Sequence, residues 1–222
     1  LLAYQKRIKD LEYIDKSVEG IATEADVETE RFIFRELKKI FPHDHFLGEE
    51  SYFAQHGLKK GQDFADHLHL SRVWVLDPLD GTNNFLKNSD YYCISLALVS
   101  HGQTEFGLIY APSKGEFFYA QKGCGAFYRH LYRSKSFKRI VDQKKSVLKY
   151  SLVATGYGGA NGLEVDTLKV LAKETMGVRK FGSAALDLAH LSLGQIDAFI
   201  ADNLSPWDLA AGALIAAESN HQ

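Results

Sequence analysis

The segment VWVLDPLDGTNNF, residues 73–85, sets Asp77 and Asp80 three positions apart around Pro78, after an apolar run and directly before Gly81-Thr82. Two carboxylates held close together with no cation nearby repel each other and take up protons rather than stay ionised. The turn is therefore either solvated and bland or the seat of something positive. Magnesium suits the second case, because it takes hard oxygen ligands, usually a few carboxylates with water and substrate phosphate. Pro78 restrains one backbone angle and Gly81 frees another, so the chain can turn sharply and aim Asp77, Asp80 and the Leu79 carbonyl at one point. Taken alone, Asp-Gly is also a common turn dipeptide.

Two further segments carry acids in suggestive settings. LSPWDLAAG places Ser205 as an N-cap, Pro206 at the first helical position and Asp208 in the first turn, where the helix dipole favours an ionised carboxylate. By itself Asp208 reads as a helix-stabilising acid. FLGEES, residues 46–51, offers Glu49 and Glu50 after a glycine in a loop-like context, where adjacent acids are ordinarily solvated.

The elements that must position these acids follow from periodicity. Residues 26–41 carry Val27, Ile33, Phe34, Leu37, Ile40 and Phe41 on one helical stripe, with acids in the first turn, Lys38-Lys39 in the last and Pro42 as a stop. A polar, histidine-bearing stretch from Gly48 to Ser71 precedes the run Val73–Leu76, which reads as a strand buried on both faces and ending at Asp77. From Tyr91 to Tyr128, short aromatic and β-branched segments between Gly, Pro, Ser and Lys suit an antiparallel meander. Residues 129–149 are basic, and SLVATG then opens a second alternation. Helices are predicted over Leu163–Lys173, Ala184–Ser192 and Pro206–Glu218, and a strand over Ile196–Ile200. The blocks predict a layered α+β or mixed α/β fold.

Bulk properties frame this. A chain of 222 residues, 45% hydrophobic and 24% charged, can bury a core as one domain or two tightly joined lobes. A net charge of -2 gives no whole-molecule attraction to nucleic acid or anionic membrane. The two cysteines, Cys93 and Cys124, are too few for a disulfide framework and fit a reducing compartment. The longest apolar runs fall well short of the ~20 residues of a membrane span, and no signal-peptide hydrophobic region is present. The expectation is a cytoplasmic protein without membrane contact.

Together, Glu49, DPLDGT and SPWDLAAG resemble in order, type and approximate spacing the signature of the inositol monophosphatase family. The resemblance runs from about Ile21 to Glu218 and includes TEAD at 23–26, GEES at 48–51, GLIYAP at 107–112, KGCGAF at 122–127 and GSAALDL at 182–188. It implies a layered α/β/α/β/α sandwich of the sugar-phosphatase type over residues 1–222, with an N-terminal lobe of about 1–128 and a C-terminal lobe of about 150–222. It implies a magnesium-dependent, lithium-sensitive phosphomonoesterase, commonly a homodimer, with two or three Mg2+ ions per site. Carried over by position, Glu49, Asp77 and the Leu79 carbonyl would hold one metal and Asp77, Asp80 and Asp208 a second. Thr82 and Glu49 would orient a metal-activated water, with Asp26 hydrogen-bonding Thr82. The N–H groups of Gly81 and Thr82, if they open a short helix, would receive phosphate oxygens. Asp80 and Asp208 would also face the substrate, and Gly182, Ser183 and Ala184 would line its sugar side.

The pattern departs from the family in two places. A glutamate that binds inositol hydroxyls aligns with Ala201, so adjacent Asp202 is the candidate replacement. Adenosine 3',5'-bisphosphate, fructose 1,6-bisphosphate and histidinol phosphate stay beside inositol 1-phosphate as substrates. Both ends are also short for the family, as a fragment, a natural truncation or a chain lacking pieces would be.

Other features read more plainly. DFADHLHL, with Asp63, Asp66, His67 and His69, lacks the spacing of a zinc site and reads as a polar loop. TGYGGANG at 155–162 has no following Lys-Ser/Thr and is not a nucleotide P-loop, but a mobile rim loop by analogy. The basic run 129–145 reads as a solvated face, with contact to RNA or RNA polymerase as the reading from another class, that of a binding protein. Cys93 reads as an inert core thiol.

Overall fold

The computed structural model describes residues 1–11, 13–15, 21–56, 67, 69–141, 147–156 and 165–219. Asp63, Asp66, residues 142–146 of the basic run and 157–162 of the glycine-rich segment lie outside them. Helix α1 (Leu2–Gln5) and strand β1 (Tyr13–Asp15) lead to β2 (Ile21–Thr23), antiparallel to β1, which runs straight into α2 (Glu24–Ile40). A capping box starts α2: the Thr23 hydroxyl oxygen accepts the Ala25 N–H, and the Asp26 carboxylate accepts the Thr23 N–H. Pro42 follows its end. Of the predicted stripe, Ile33, Phe34 and Leu37 are half-buried while Ile40 stays exposed.

Among the described residues the larger sheet has seven strands whose spatial order is their chain order: β3 (His45–Gly48), β4 (Val73–Asp80), β5 (Cys93–Ser100), β6 (Gln103–Ala111), β7 (Glu116–Gln121), β8 (Gly125–His130) and β9 (Lys138–Arg139). β3 and β4 are parallel and the remaining neighbours antiparallel, so the meander of tight turns is present as predicted. Among the described residues, the short helices α3 (Glu49–His56) after β3 and α4 (Thr82–Leu86) after β4 interrupt it. The predicted polar stretch after Gly48 thus begins as a helix. Strand β4 does not stop at Asp77 but continues to Asp80. Asp77 pairs with Ser95 and Asp80 with Cys93, so β4 carries one extra residue across the Asp-Pro-Leu-Asp segment.

The chain continues through β10 (Leu152–Gly156), α5 (Val165–Glu174), β11 (Gly177–Arg179), α6 (Ala184–Ser192), β12 (Ala198–Ala201) and α7 (Pro206–Ser219). Strands β11, β10 and β12 make a parallel three-stranded sheet. Strand β12 starts two residues later than predicted.

The layers stack as α2, larger sheet, α6 with α7, smaller sheet, α5. On β4, Val73 and Val75 join Ala211, Leu214 and Ile215 of α7 in the core, while Trp74 packs its ring on Phe41 at the end of α2. A fully buried strand of this kind has both faces covered. Burying each such aliphatic side chain contributes about 1.5–3 kcal/mol. Helix α7 lies close on the sheet because Gly107 has no side chain: a Cβ there would meet the Ala211 carbonyl oxygen at 2.8 Å. Among the described residues, no helix is long and apolar enough to cross a membrane.

Candidate active site

The one-residue excess in β4 re-aims its end, as bulges do. Asp77 is buried, 2% exposed, and its Oδ1 accepts the Leu79 N–H at 2.9 Å, closing a tight turn over Pro78. Gly81 then takes a positive φ of 95°, where tyrosine backbone and side-chain atoms crowd the position a Cβ would need. It acts as the N-cap of α4, whose first-turn N–H groups have no intrahelical acceptor.

Asp77 is the electrostatic centre of the site. Burial pushes its carboxyl well up from the ordinary value, and the charges of Glu49, Asp80 and Asp208 push it further in that order. These carboxylates arrive on separate elements: β4 for Asp77 and Asp80, the first turn of α3 for Glu49 and the first turn of α7 for Asp208. Tyr52 and Phe53 of α3 pack their rings on Trp207, at centroid distances of 5.7 and 5.9 Å, which ties the two helix starts together. Asp80 is likewise pushed up to about 6, by burial first and Glu49 after it, against hydrogen bonds that hold it down. Its Oδ2 accepts from the Ser183 hydroxyl and the Ala185 N–H, both at 2.7 Å. Asp208 Oδ2 accepts the Ser205 N–H at 2.8 Å.

Asp77, Asp80 and Asp208 are therefore gathered in field but turned to protein donors. Among the described residues, no three acidic, histidine or cysteine side chains already stand at the spacing of a metal cage. The donor set itself is all oxygen and strongly anionic around a buried centre, which fits a hard divalent cation and not zinc.

The Thr82 hydroxyl lies 3.1 Å from Asp26 Oδ1 and 2.9 Å from the Leu79 carbonyl oxygen. Its single proton is engaged by those acceptors, so toward the acid cluster it offers lone pairs. Asp26 does two jobs, with Oδ2 in the α2 cap and Oδ1 on Thr82. Asn84 donates to the Tyr91 and Phe181 carbonyls at 2.8 and 2.7 Å, fixing α4 against the segment that leads into α6.

Beside the acids lies a cavity of about 290 Å³, lined among others by Asp80, Lys180, Gly182, Asp187, Asp202 and Asp208. Ser183 and Ala184 also line it. Ala201 instead abuts Gly156, where a Cβ would come within 2.6 Å of the alanine methyl. Cys93 is a buried thiol that burial pushes well up.

Two groups were not foreseen from spacing. Glu30, buried in α2, accepts the N–H groups of Glu50 and Ser51 at 2.9 and 2.8 Å and so anchors the turn that carries Glu49. Gly48 makes room for it, since a Cβ there would sit 2.3 Å from Glu30 Oε2. Asp187 joins Tyr91 and His190 behind the cavity wall.

Comparison with known proteins agrees with this architecture. The model of the inositol monophosphatase family matches residues 2–220. A Thermotoga maritima fructose-1,6-bisphosphatase/inositol-1-monophosphatase is 34% identical over 200 residues, 90% of this chain and 69% of its own. A Xylella fastidiosa protein named Nus factor SuhB is 31% identical across 99% of this chain and 74% of its own. The crystal structure of extragenic suppressor protein suhB from Bartonella henselae superposes with a TM-score of 0.81 at 32% identity, covering 98% of this chain and 78% of that one. Fold, acid cluster and matches define the class as a phosphoric monoester hydrolase. The chain belongs to the inositol monophosphatase family, one of metal-dependent phosphatases.

Proposed function

We propose that this chain is a Mg2+-dependent phosphatase of a small phosphorylated polyol such as inositol 1-phosphate, working through an activated water without a phosphoenzyme. The observation that carries the reading is the convergence of Glu49, Asp80 and Asp208 on buried Asp77. Such crowding is tolerable when divalent cations neutralise it. Glu49, Asp77 and the Leu79 carbonyl would hold one Mg2+, and Asp77, Asp80 and Asp208 another. Bound there, the ions would lower the pKa of a water, neutralise phosphate charge and stabilise the leaving oxygen.

The protein's own groups do the rest. Thr82, its proton held by Asp26 and the Leu79 carbonyl, accepts a hydrogen bond from the attacking water and, with Glu49, orients it. The Gly81 and Thr82 N–H groups take phosphate oxygens. Ser183 and Ala185 hold Asp80 still at the cavity edge, where Gly182, Ser183, Ala184 and Asp202 face the polyol. Asp202 lines the cavity and Ala201 does not, which supports Asp202 as the hydroxyl-reading acid. We place the enzyme in the cytoplasm as a homodimer.

The test is phosphate release with Mg2+ from inositol 1-phosphate, adenosine 3',5'-bisphosphate, fructose 1,6-bisphosphate and histidinol phosphate, with and without millimolar lithium. Preference for inositol 1-phosphate with lithium inhibition supports the reading; preference for another ester moves the substrate within the superfamily. A folded, inactive protein would favour the second reading, contact with RNA or RNA polymerase. That reading is supported by exposed Lys138 and Arg139 on edge strand β9 and by the name of the Xylella relative. Salt-sensitive retention of metal-free protein on RNA would argue for it.

A further inference from the structure

The proposed chemistry needs two turns that lie far apart in the chain. Gly81-Thr82 would take the phosphate, and Gly182-Ser183-Ala184 lines the cavity where the polyol would sit. Their spacing has to be set by the protein before any substrate arrives. One link between them is Asp80, whose Oδ2 accepts from the Ser183 hydroxyl and the Ala185 N–H. In the metal reading Asp80 is also a ligand, so its lone pairs are shared with the ion. A second link, Asn84 of α4, stands clear of both, since it is not among the residues lining the cavity.

Asn84 Nδ2 donates one hydrogen to the Tyr91 carbonyl at 2.8 Å and the other to the Phe181 carbonyl at 2.7 Å. Carbonyl oxygens only accept, so the orientation of the amide is forced and both of its hydrogens are used. The backbone crowds around the same point. Gly182 has a φ of 87°, and a Cβ there would come within 3.1 Å of Asn84 Nδ2. A Cβ on Gly81 would lie 3.0 Å from the Tyr91 carbonyl oxygen and 3.3 Å from that of Gly182. The phosphate turn, the segment before β5 and the turn into α6 are thus pressed together, with one carboxamide bonding α4 to the other two. Around it, Phe85 of α4 packs edge-on against Tyr92, and Tyr91 stacks on Phe181. Ring contacts of this kind accept a wide range of separations, whereas hydrogen bonds are narrow in length and angle. The amide therefore fixes what the rings leave loose.

We propose that Asn84 is a positioning residue that sets the distance between the phosphate turn and the polyol turn, and so governs which esters fit without touching them. The inference rests on the phosphorylated-polyol reading of the site. A ligand held only by its phosphate is indifferent to where the second turn lies. An ester that must reach both turns loses its hydroxyl contacts when that turn shifts. Those contacts are made in the bound ester and in the transition state alike, so their loss is read in KM more than in turnover.

Asn84→Ala removes both hydrogen bonds, and Asn84→Ser keeps a single, shorter donor. With Mg2+, kcat/KM of Asn84→Ala for the polyol phosphate that the wild type prefers should fall roughly 10- to 100-fold, the scale of two hydrogen bonds, while p-nitrophenyl phosphate, which has no hydroxyl to read, should lose under about 3-fold. Competitive inhibition by inorganic phosphate should keep its wild-type constant, and Asn84→Ser should fall between wild type and Asn84→Ala. A loss shared equally by both esters, or inhibition by phosphate that weakens in step with it, would make Asn84 a structural residue of α4 and overturn the proposal. Failure of both variants to fold, followed by urea unfolding, would do the same. A wild type that releases no phosphate from any ester sinks the phosphatase reading and this role with it; an active wild type whose ratio between the two esters survives Asn84→Ala sinks this role alone.

Discussion

Replacing Asp80 by asparagine should make the metal-free protein more stable at pH 8 and the metal-loaded protein less so. Asp80 is pushed up to about 6 from an ordinary 3.8. At about 1.4 kcal/mol per pKa unit, that gap corresponds to roughly 3 kcal/mol. Asp80 is partly exposed, so screening lowers the figure to about 2 kcal/mol. The sign follows from linkage: the folded protein keeps a proton that the unfolded chain has released, so metal-free stability falls as pH climbs from about 4 through about 6. Asparagine carries no charge, and its carbonyl oxygen can still accept from Ser183 and Ala185. In EDTA, urea unfolding should show Asp80→Asn ahead of wild type by under about 1 kcal/mol at pH 4.5 and about 2 kcal/mol at pH 8. Adding Mg2+ should invert the order at pH 8, since a ligand at 100 times its Kd stabilises the wild type by about 2.7 kcal/mol. A variant no more stable than wild type in EDTA, or a difference that ignores pH, would refute the burial of Asp80 beside like charge on which the metal reading stands.

Thr82→Ala should lower turnover by about 100-fold or more with little change in Mg2+ affinity, measured by calorimetry beside steady-state kinetics. The reverse pattern would make Thr82 structural. Glu30→Ala leaves two N–H groups at the start of α3 without their acceptor and should cost about 2 kcal/mol in urea unfolding while weakening Mg2+ binding through Glu49. Gly48→Ala forces Glu30 and the Phe34 ring aside and should cost about 1–3 kcal/mol with the same loss of metal affinity.

The elements with strong local signals were legible: α2 by its stripe, its terminal charges and Pro42, β5 to β8 by alternation and turns, α7 by Ser205-Pro206. The DPLDGT turn was legible as a turn, and its acids as candidate ligands, because Pro and Gly act on the backbone next to them. Helix α3 was hidden, since its eight residues carry aromatic and charged groups without a clean apolar face. The continuation of β4 past Pro78 was hidden because a bulge admits a residue that strand patterning excludes. Glu30 looked like one more solvent-facing acid of α2, and only tertiary structure brings the α3 N–H groups to it. The Asp187–Tyr91–His190 line joins residues nearly a hundred positions apart, which no local spacing encodes. That Glu49, Asp77 and Asp208 belong together came from family resemblance.

Asp208 rides on α7, the helix that also covers strands β5 to β8. Synthesised from the N-terminus, the chain finishes its larger sheet long before the last carboxylate exists, and the face of that sheet that α6 and α7 share is not fully covered until residues 206–219 dock. The same event seals the core and completes the anionic centre. A cation bridging Asp77 and Asp208 would act as a reversible latch across a loop of more than a hundred residues, favouring the docked helix by mass action. Scarcity of such an ion would then be felt first as loosening of α7 and exposure of apolar strand surface.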